Sequence, residues 1–282
     1  MTRGTTGLPK LFPITDTHLR QIIVCGSRAV LNYASSEGKA RLYKRPVLNL
    51  CFPSDVGQIK VGGRELSSYG YSSGTYAKLA TGFGNFRLVP SQGDIDALGT
   101  GDDDVWTRRF DLIFKEAKGL DIGSLIGVTP IMMSFAKYMR RHHGLSPREI
   151  WDIDALFCTS VPKIQVKYAP YLRRFYGNAD VREIYSATEG VFGQQLNESP
   201  CISPNYDSYL FEVRTRNGFR MLHELEKGEW GRLIISSCIF PRYCIGDLVE
   251  SYGGNFFRIL GRETTATILE HTLYRAMAWW LY

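Results

Sequence analysis

The N-terminal sequence Gly-Thr-Thr-Gly-Leu-Pro-Lys is a turn-rich stretch in which two glycines flank two hydroxyl side chains and a lysine follows. Gly4 and Gly7 allow positive φ and close backbone approach, so backbone amides and the hydroxyls of Thr5 and Thr6 can hold phosphate oxygens. Lys10 can neutralise negative charge there. The spacing excludes a Walker loop, which requires Gly-x4-Gly-Lys-Ser/Thr. Taken alone, such a stretch is more often simply a turn.

A second stretch, Tyr-Ser-Ala-Thr-Glu-Gly, begins at Tyr185 and directly follows a predicted strand. Open α/β sheets bind ligands beyond the carboxyl ends of their strands, where these side chains would lie. The ring of Tyr185 can stack on a base, and the hydroxyls of Ser186 and Thr188 can bond phosphate. The carboxylate of Glu189 can hold Mg²⁺, which prefers oxygen ligands. Taken alone, the stretch is more typical of an ordinary strand exit with a solvated glutamate.

A third stretch, Arg-Tyr-Cys-Ile-Gly-Asp, ends at Asp247, and Gly261 and Arg262 follow further along the chain. An acidic side chain after a glycine turn can accept hydrogen bonds from both hydroxyls of a ribose, as in dinucleotide-binding folds. An aspartate in a β-turn is the simpler interpretation of this stretch by itself. The joint occurrence of all three stretches is what favours a nucleotide site.

The middle of the chain has a pattern of alternating strands and helices that would place the second stretch at a sheet edge. Strands are predicted over 125–128, 155–158 and 181–185, and helices over 104–118, 130–142 and 162–176. Alternation of this kind indicates βαβ units and a parallel sheet with right-handed crossovers.

The flanking regions complete the predicted architecture. Thr15 or Asp16 caps a helix whose apolar residues share one face, namely Leu19, Ile22, Ile23, Val30 and Tyr33. A strand is predicted over 46–52, strands and loops over 57–86, further strands over 210–213, 233–237 and 256–260, and a helix over 268–282. The predicted fold class is therefore α/β, with mixed, largely parallel sheets and flanking helices.

The composition limits the compartment and the partners. The chain has 282 residues, 44% of them hydrophobic and 22% charged, which is ordinary for a globular protein. Six scattered cysteines without a Cys-x-x-Cys pair argue against a zinc site or a disulfide framework. The net charge of +6 suits an anionic ligand, but no dense basic block indicates nucleic acid, and no apolar run is long enough to cross a membrane. We expect a cytoplasmic protein.

With these three stretches in this order, the sequence resembles the auxin-responsive acyl-acid–amido synthetase family. That family is part of the adenylate-forming superfamily, which includes acyl-CoA ligases. The matching sequences are Thr-Arg-Gly-Thr-Thr-Gly-Leu-Pro-Lys, Tyr-Ser-Ala-Thr-Glu-Gly and Arg-Tyr-Cys-Ile-Gly-Asp, and the resemblance covers nearly the whole chain. It implies ATP-dependent activation of a carboxylic acid to an acyl-adenylate, with Mg²⁺, followed by transfer to an amino acid or amine.

The resemblance also implies a role for each matching residue. Those with catalytic roles would be Thr5, Thr6, Lys10 and Glu189, the last also as the Mg²⁺ ligand. Those that bind the nucleotide would be Gly4, Gly7, Tyr185 against adenine, Ser186, Thr188, Asp247 on the ribose hydroxyls and Arg262.

Compared with that family, the chain begins almost at the phosphate loop and ends early in what would be a small C-terminal domain. Residues 1–262 are expected to form an incomplete adenylating core, and 263–282 a hinge and the first helix of a further domain. The apolar stripe of that helix indicates a possible partner chain. Two alternative functions stay open: an acyl-CoA ligase, which transfers the acyl group to coenzyme A, and an inactive nucleotide-binding or interaction remnant.

Overall fold

The computed structural model describes residues 10–62, 64–80, 87–101 and 103–281. Its helices are α1 (Asp16–Ser36), α2 (Ser72–Ala80), α3 (Gln92–Ala97), α4 (Asp103–Ala117), α5 (Thr129–His143), α6 (Ile164–Lys167), α7 (Ala169–Tyr176) and α8 (Thr265–Leu281). Its strands are β1 (Val47–Asn49), β2 (Gly57–Val61), β3 (Arg64–Tyr69), β4 (Leu88–Val89), β5 (Ser124–Val128), β6 (Ala155–Thr159), β7 (Asp180–Ala187), β8 (Gly190–Gln194), β9 (Ser203–Pro204), β10 (Leu210–Thr215), β11 (Gly218–Met221), β12 (Trp230–Ser236), β13 (Tyr243–Gly253) and β14 (Phe256–Arg262).

The first sheet has seven strands in the order β4-β1-β5-β6-β7-β8-β9. The first five strands in this order, β4, β1, β5, β6 and β7, are parallel. Strands β8 and β9 continue the sheet in antiparallel pairing. This arrangement confirms the predicted α/β class with a largely parallel sheet. Strand β6 is buried almost throughout, as expected where both faces of a parallel sheet are covered.

A second sheet of five antiparallel strands follows, in the order β11-β10-β12-β13-β14. One hydrophobic core lies between α1, the first sheet and this second sheet, and a second core lies on the other face of the first sheet under α4, α5 and α7. Along β6 the side chains alternate between the two cores, with Ala155 and Phe157 in one and Leu156 and Cys158 in the other. The second sheet therefore shares a core with the carboxyl half of β7.

Helix α1 forms as the sequence predicts. The Thr15 hydroxyl accepts a hydrogen bond from the His18 amide and caps the first turn. Leu19, Ile22 and Tyr33 are buried on the face that packs on the sheets.

Two predicted elements differ from the structure. The helix predicted over 162–176 is two helices, α6 and α7, which meet at Tyr168. Pro170 explains the break, because proline has no amide hydrogen to donate to the preceding turn and is favoured instead in the first turn of a helix, where it lies in α7. The strand predicted over 46–52 is shorter and comprises only β1.

The region 57–86 was predicted as strands and loops, and the prediction is wrong for one part of it. The hairpin of β2 and β3 is there, but helix α2 follows, while residues 81–86 lie outside the described residues. Helix α2 was missed because it begins with Ser-Ser-Gly-Thr, which is not typical of a helix. The glycine in this segment is required by tertiary packing. A Cβ at Gly74 would lie 1.9 Å from the carbonyl oxygen of Phe52.

The β-turn that is the simpler interpretation of the third stretch does not occur, because Tyr243 to Asp247 lie in strand β13. Gly246 has φ +83°, a left-handed conformation that favours glycine, and it sits where the pairing of β12 and β13 is irregular. The bulge leaves Asp247 paired with Arg262 on β14.

Helix α8 contacts the second sheet through the buried His271, whose ring edge meets the Trp230 ring at 5.0 Å. Leu269, Leu273 and Met277, part of the predicted apolar stripe, are exposed. A partner chain that covers them stays a prediction. Within the described residues, no helix is long and apolar enough to cross a membrane.

Candidate functional site

The second and third sequence stretches meet where the two sheets join. The Tyr185 hydroxyl donates to Asp247 Oδ2 at 2.7 Å, and Arg262 Nε lies 3.2 Å from Asp247 Oδ1. Arg262 also donates from Nη1 to the carbonyl of Ile245 at 2.6 Å, which holds the guanidinium beside the bulge. One carboxylate thus connects β7 with β13 and β14, although the two stretches are about sixty residues apart in sequence.

Asp247 lies in a poorly solvated environment, with only 7% of its surface exposed. Burial raises the pKa of its carboxyl, and the nearby Arg262 charge and the Tyr185 hydrogen bond offset this only in part, so the pKa is above the usual value. A carboxylate in this condition gains from further hydrogen-bond donors. Paired hydroxyls of a ribose would supply two such donors.

The ring of Tyr185 belongs largely to the hydrophobic core. It packs against Phe192 at 5.4 Å and Phe257 at 5.7 Å between ring centroids. Burial, followed by the Asp247 charge, raises the pKa of the Tyr185 hydroxyl well above its usual value, so the hydroxyl is a donor. The structure therefore gives this residue a clear role in holding Asp247, and its contact with adenine stays a prediction.

Thr188 and Glu189 form the turn between β7 and β8, and the residues on either side of this turn, Ala187 and Gly190, are paired. The hydroxyl of Tyr76 on α2 donates to the Thr188 carbonyl at 2.8 Å. His18 Nε2 on α1 lies 3.1 Å from the Glu189 carbonyl.

The Glu189 side chain lies beside residues of the third stretch. Glu189 is 9% exposed and lines a small void of about 10 Å³ together with Tyr243 and Phe240. Burial raises the pKa of Tyr243 to about 12, and the neighbouring Glu189 carboxylate adds to this effect. Ser186, at the carboxyl end of β7, is half-buried and pairs with Val191 of β8.

The first sequence stretch is described only at its end. Gly4, Thr5, Thr6 and Gly7 lie outside the described residues, and Lys10 is exposed. Two residues after Lys10, the Phe12 ring meets Phe240 at 5.5 Å and Tyr243 at 6.3 Å. The segment that follows the predicted phosphate loop therefore packs next to the Glu189 side of the site.

A magnesium ion would be held here by few protein ligands. Within the described ranges, no group of three or more His, Cys, Asp or Glu side chains is close enough to bind a metal ion. Mg²⁺ commonly takes one or two carboxylates and completes its coordination with phosphate oxygens and water. Glu189 fits this pattern, because it offers one carboxylate with hard oxygen atoms, on the side of the site where the segment after Lys10 packs.

A larger cavity, of about 460 Å³, lies at the opposite edge of the first sheet, lined by Lys39, Arg41 and Asp154 among others. Asp154 precedes β6, whereas Glu189 follows the parallel strand β7, so the cavity is far from the motifs. Two of its cations are already paired, with Arg41 Nη2 2.8 Å and Lys39 Nζ 3.5 Å from Asp154 Oδ1. Its size alone is a weak reason to place the functional site there.

Two residues of the site were missed by sequence reasoning. His18 lies one helical turn before Ile22, so the sequence pattern places it on the apolar face of α1. Tyr76 lies in α2, a helix that was not predicted from the sequence. No local signal connects either residue with the Thr188–Glu189 turn, since both contacts are made across more than 110 residues. Tyr243 belongs to the third stretch, but no role was predicted for it.

No protein-family model matches the sequence, and no curated protein matches it by sequence. Among solved structures, the chain is similar to AtGH3.15 acyl acid amido synthetase in complex with 2,4-DB, with a TM-score of 0.72, 14% identity, and coverage of 93% of this chain and 55% of that one. It is similar to an open conformation of 2-hydroxyisobutyryl-CoA ligase in complex with 2-HIB-AMP and CoA, with a TM-score of 0.62, 17% identity, and coverage of 89% and 51%. It is also similar to an ATP-bound RpMatB-BxBclM chimera, with a TM-score of 0.55, 16% identity, and coverage of 93% of this chain and 46% of that one.

The chain spans about half the length of these solved structures. At these identities the likeness concerns the fold, and it agrees with the family that the sequence resembles. This chain therefore has a fold similar to about half of the solved acyl acid amido synthetase and 2-hydroxyisobutyryl-CoA ligase structures.

Proposed function

We propose that this protein uses ATP to activate a carboxylic acid as an acyl-adenylate and passes the acyl group to an amino acid or another amine. The observation that carries the proposal is the junction of Tyr185, Asp247 and Arg262 beside the Thr188–Glu189 turn. It brings two of the three sequence motifs into one place at the carboxyl edge of the parallel strands. Ligands bind at this edge in α/β folds.

In this proposal the two sides of the site hold different parts of ATP. Asp247, fixed by Tyr185, accepts the ribose hydroxyls, and Arg262 lies near the nucleotide. On the other side, the loop of residues 4–10 holds the phosphates, with Thr5, Thr6 and Lys10 as its polar groups and Gly4 and Gly7 permitting close approach. Ser186 lies near the end of β7 and Thr188 directly after it, and in this proposal their hydroxyls bond the phosphates.

The charges of the reactants explain why such a site is needed. A carboxylate oxygen of the acid attacks the α-phosphorus, the bond to the bridging β-phosphate oxygen breaks, and pyrophosphate leaves with that oxygen. Both reactants are anionic, so positioning and positive charge supply most of the rate enhancement. Mg²⁺ held by Glu189 would screen the phosphate charge. The chain itself contributes Lys10 and Arg262 as cations near the proposed nucleotide position.

Pyrophosphate exchange into ATP tests the reaction class. The full chain is expected to catalyse exchange that depends on an added carboxylic acid and on Mg²⁺. Product analysis with amino acids, other amines and coenzyme A then distinguishes amide formation from thioester formation. ATP binding without exchange, across a broad panel of aromatic and aliphatic acids, would favour an inactive nucleotide-binding protein.

Asp247→Ala tests the assignment of the ribose site. We expect ATP affinity to fall by about ten- to a hundredfold, since hydrogen bonds to a charged group contribute about 1.5–3 kcal/mol. Calorimetric titration of ATP measures the affinity. Glu250→Gln is the matched control, because Glu250 is also a buried carboxylate on β13 but pairs with Arg258. Equal affinity in the Asp247→Ala variant and the wild type contradicts the assignment.

A further inference from the structure

The turn that carries Glu189 is held from outside its own sheet by two different helices. Tyr76 of α2 donates its hydroxyl to the Thr188 carbonyl at 2.8 Å, and His18 of α1 contacts the Glu189 carbonyl through Nε2 at 3.1 Å. The two successive carbonyls of the turn are thus both bound by side chains. Most surface hairpin turns leave such groups to water.

The contact of His18 is a directed hydrogen bond and not incidental packing. Its side chain is fully buried, with Nε2 3.1 Å from the Glu189 carbonyl oxygen. A carbonyl oxygen can only accept, so Nε2 carries a proton and is the donor. Within the described residues Nδ1 has no hydrogen-bond partner, so the bond to Glu189 is the one polar contact of this buried ring.

The contact of Tyr76 with the turn is also a directed hydrogen bond. Its ring is partly buried and packs against the core that α1 shares with both sheets. A carbonyl oxygen can only accept, so the Tyr76 hydroxyl is the donor in its contact with Thr188.

The two bonds restrict the same short piece of backbone. Holding the carbonyls of residues 188 and 189 fixes the planes of two successive peptides, and those planes determine the direction of the Glu189 Cα–Cβ bond. A carboxylate that binds a metal gains affinity when the groups around it hold it in the productive orientation.

We propose that His18 and Tyr76 are positioning residues that orient Glu189 toward a divalent cation bound with a nucleoside triphosphate. This inference rests on the proposed function and names residues that act on the site through the backbone. Neither side chain touches the ligand in this proposal. Their contribution is therefore to the Mg²⁺-dependent part of nucleotide binding and not to the binding of the ribose.

The test compares ATP affinity with and without Mg²⁺ in the full chain. We expect His18→Leu and Tyr76→Phe each to reduce the gain in affinity that Mg²⁺ gives, by up to about tenfold, which is the effect of losing one hydrogen bond. Affinity for ATP without Mg²⁺ should stay within about twofold of the wild type. His18→Gln keeps an N–H donor and should recover part of the gain.

Tyr176→Phe is the matched control for the loss of a buried hydroxyl. The Tyr176 hydroxyl donates to the Met132 carbonyl at 2.8 Å in the other core, away from the site. Thermal unfolding of all variants records their stability. We expect Tyr176→Phe to lower stability and leave the Mg²⁺ gain unchanged.

The outcomes separate this inference from the proposed function. If His18→Leu and Tyr76→Phe lose stability as Tyr176→Phe does but keep the wild-type Mg²⁺ gain, their role is purely structural and the inference is wrong. If the wild type binds ATP but Mg²⁺ gives no gain, the inference is wrong while nucleotide binding survives. If the wild type binds no ATP at all, the proposed function fails, and the positioning role fails with it.

Discussion

Buried aspartates occur at both edges of the first sheet, and their surroundings are opposite in character. At the amino edge, Asp154 is bonded by Arg41 and Arg45 at 2.8 and 2.6 Å, with Lys39 at 3.5 Å. At the carboxyl edge, Asp247 is near one guanidinium, that of Arg262, and accepts one hydroxyl hydrogen bond, from Tyr185. Among the residues that the structure describes, the Asp154 carboxylate has three cations nearby and the Asp247 carboxylate has one.

The pKa values follow this difference. Burial raises the pKa of the Asp154 carboxyl, but the hydrogen bond and charge of Arg41, with Lys39 and Arg45, outweigh burial and hold the pKa below its usual value. For Asp247, burial dominates and the pKa is raised. Full compensation at the amino edge is typical of a structural network. Incomplete compensation at the carboxyl edge is typical of a ligand site, where a bound group completes the interactions.

Asp154→Ala should produce the largest effect, and on stability. It leaves the buried Arg45 without its main partner, and removal of one partner of a buried ion pair costs about 3–5 kcal/mol in the free energy of unfolding. Urea unfolding measures the loss. Asp152→Ala is the control, because Asp152 lies two residues away but is exposed and contacts Arg41 only at 3.6 Å.

ATP affinity of the folded Asp154→Ala protein should equal that of the wild type. A loss of affinity without a loss of stability would reverse the distinction between the two edges and place the ligand at the large cavity instead.

The two edges also differ in how far they could be predicted. Many elements of the parallel sheet follow from local patterns, because β5 and β6 are short apolar runs and α4 and α5 have a helical periodicity of apolar residues. The predicted strand over 155–158 and the helix over 104–118 are confirmed within about two residues. The polar motifs at the carboxyl edge were recognised because each is contiguous in sequence.

The contacts that build the site could not be predicted, since they depend on tertiary packing. Tyr76 lies in a helix whose start is rich in serine and glycine, and Gly74 is there because the Phe52 carbonyl approaches closely. A turn is the simpler interpretation of Asp247 because Gly246 precedes it, yet this glycine forms a bulge within a strand. The network of Asp154 joins this residue, just before β6, to Tyr33 of α1 and to Arg41 and Arg45 after that helix, so no window of sequence contains it.

The pH dependence of stability should differ in sign between the two aspartates when the wild type is compared with each asparagine variant. We expect this effect to be smaller than the loss of stability in Asp154→Ala. The folded pKa of Asp154 is lowered, so the wild type is favoured over Asp154→Asn above the unfolded pKa of about 4, and this advantage is lost as pH falls through the folded pKa. The folded pKa of Asp247 is raised, so the wild type loses stability relative to Asp247→Asn as pH rises from about 4 through the folded pKa.

Urea unfolding of the wild type and both asparagine variants between about pH 3 and 8 measures these differences, a range that brackets the unfolded pKa of aspartate. Parallel curves for the two variants would show that the edges are electrostatically alike. The same result would remove the physical reason for assigning the ligand to Asp247.

Arg41→Ala should give the smallest effect and tests whether the amino-edge network is redundant. Arg41 bonds Asp154, but its side chain is 60% exposed, and Arg45 and Lys39 continue to compensate the carboxylate after its removal. We expect urea unfolding to show a loss below about 1 kcal/mol, the usual range of an exposed ion pair. Arg45→Met is the comparison, because Arg45 is buried and also bonds Asp121. If Arg41→Ala lost as much free energy of unfolding as Arg45→Met, the charge of Asp154 would be as poorly compensated as that of Asp247. The contrast between the two edges would then have to rest on nucleotide binding alone.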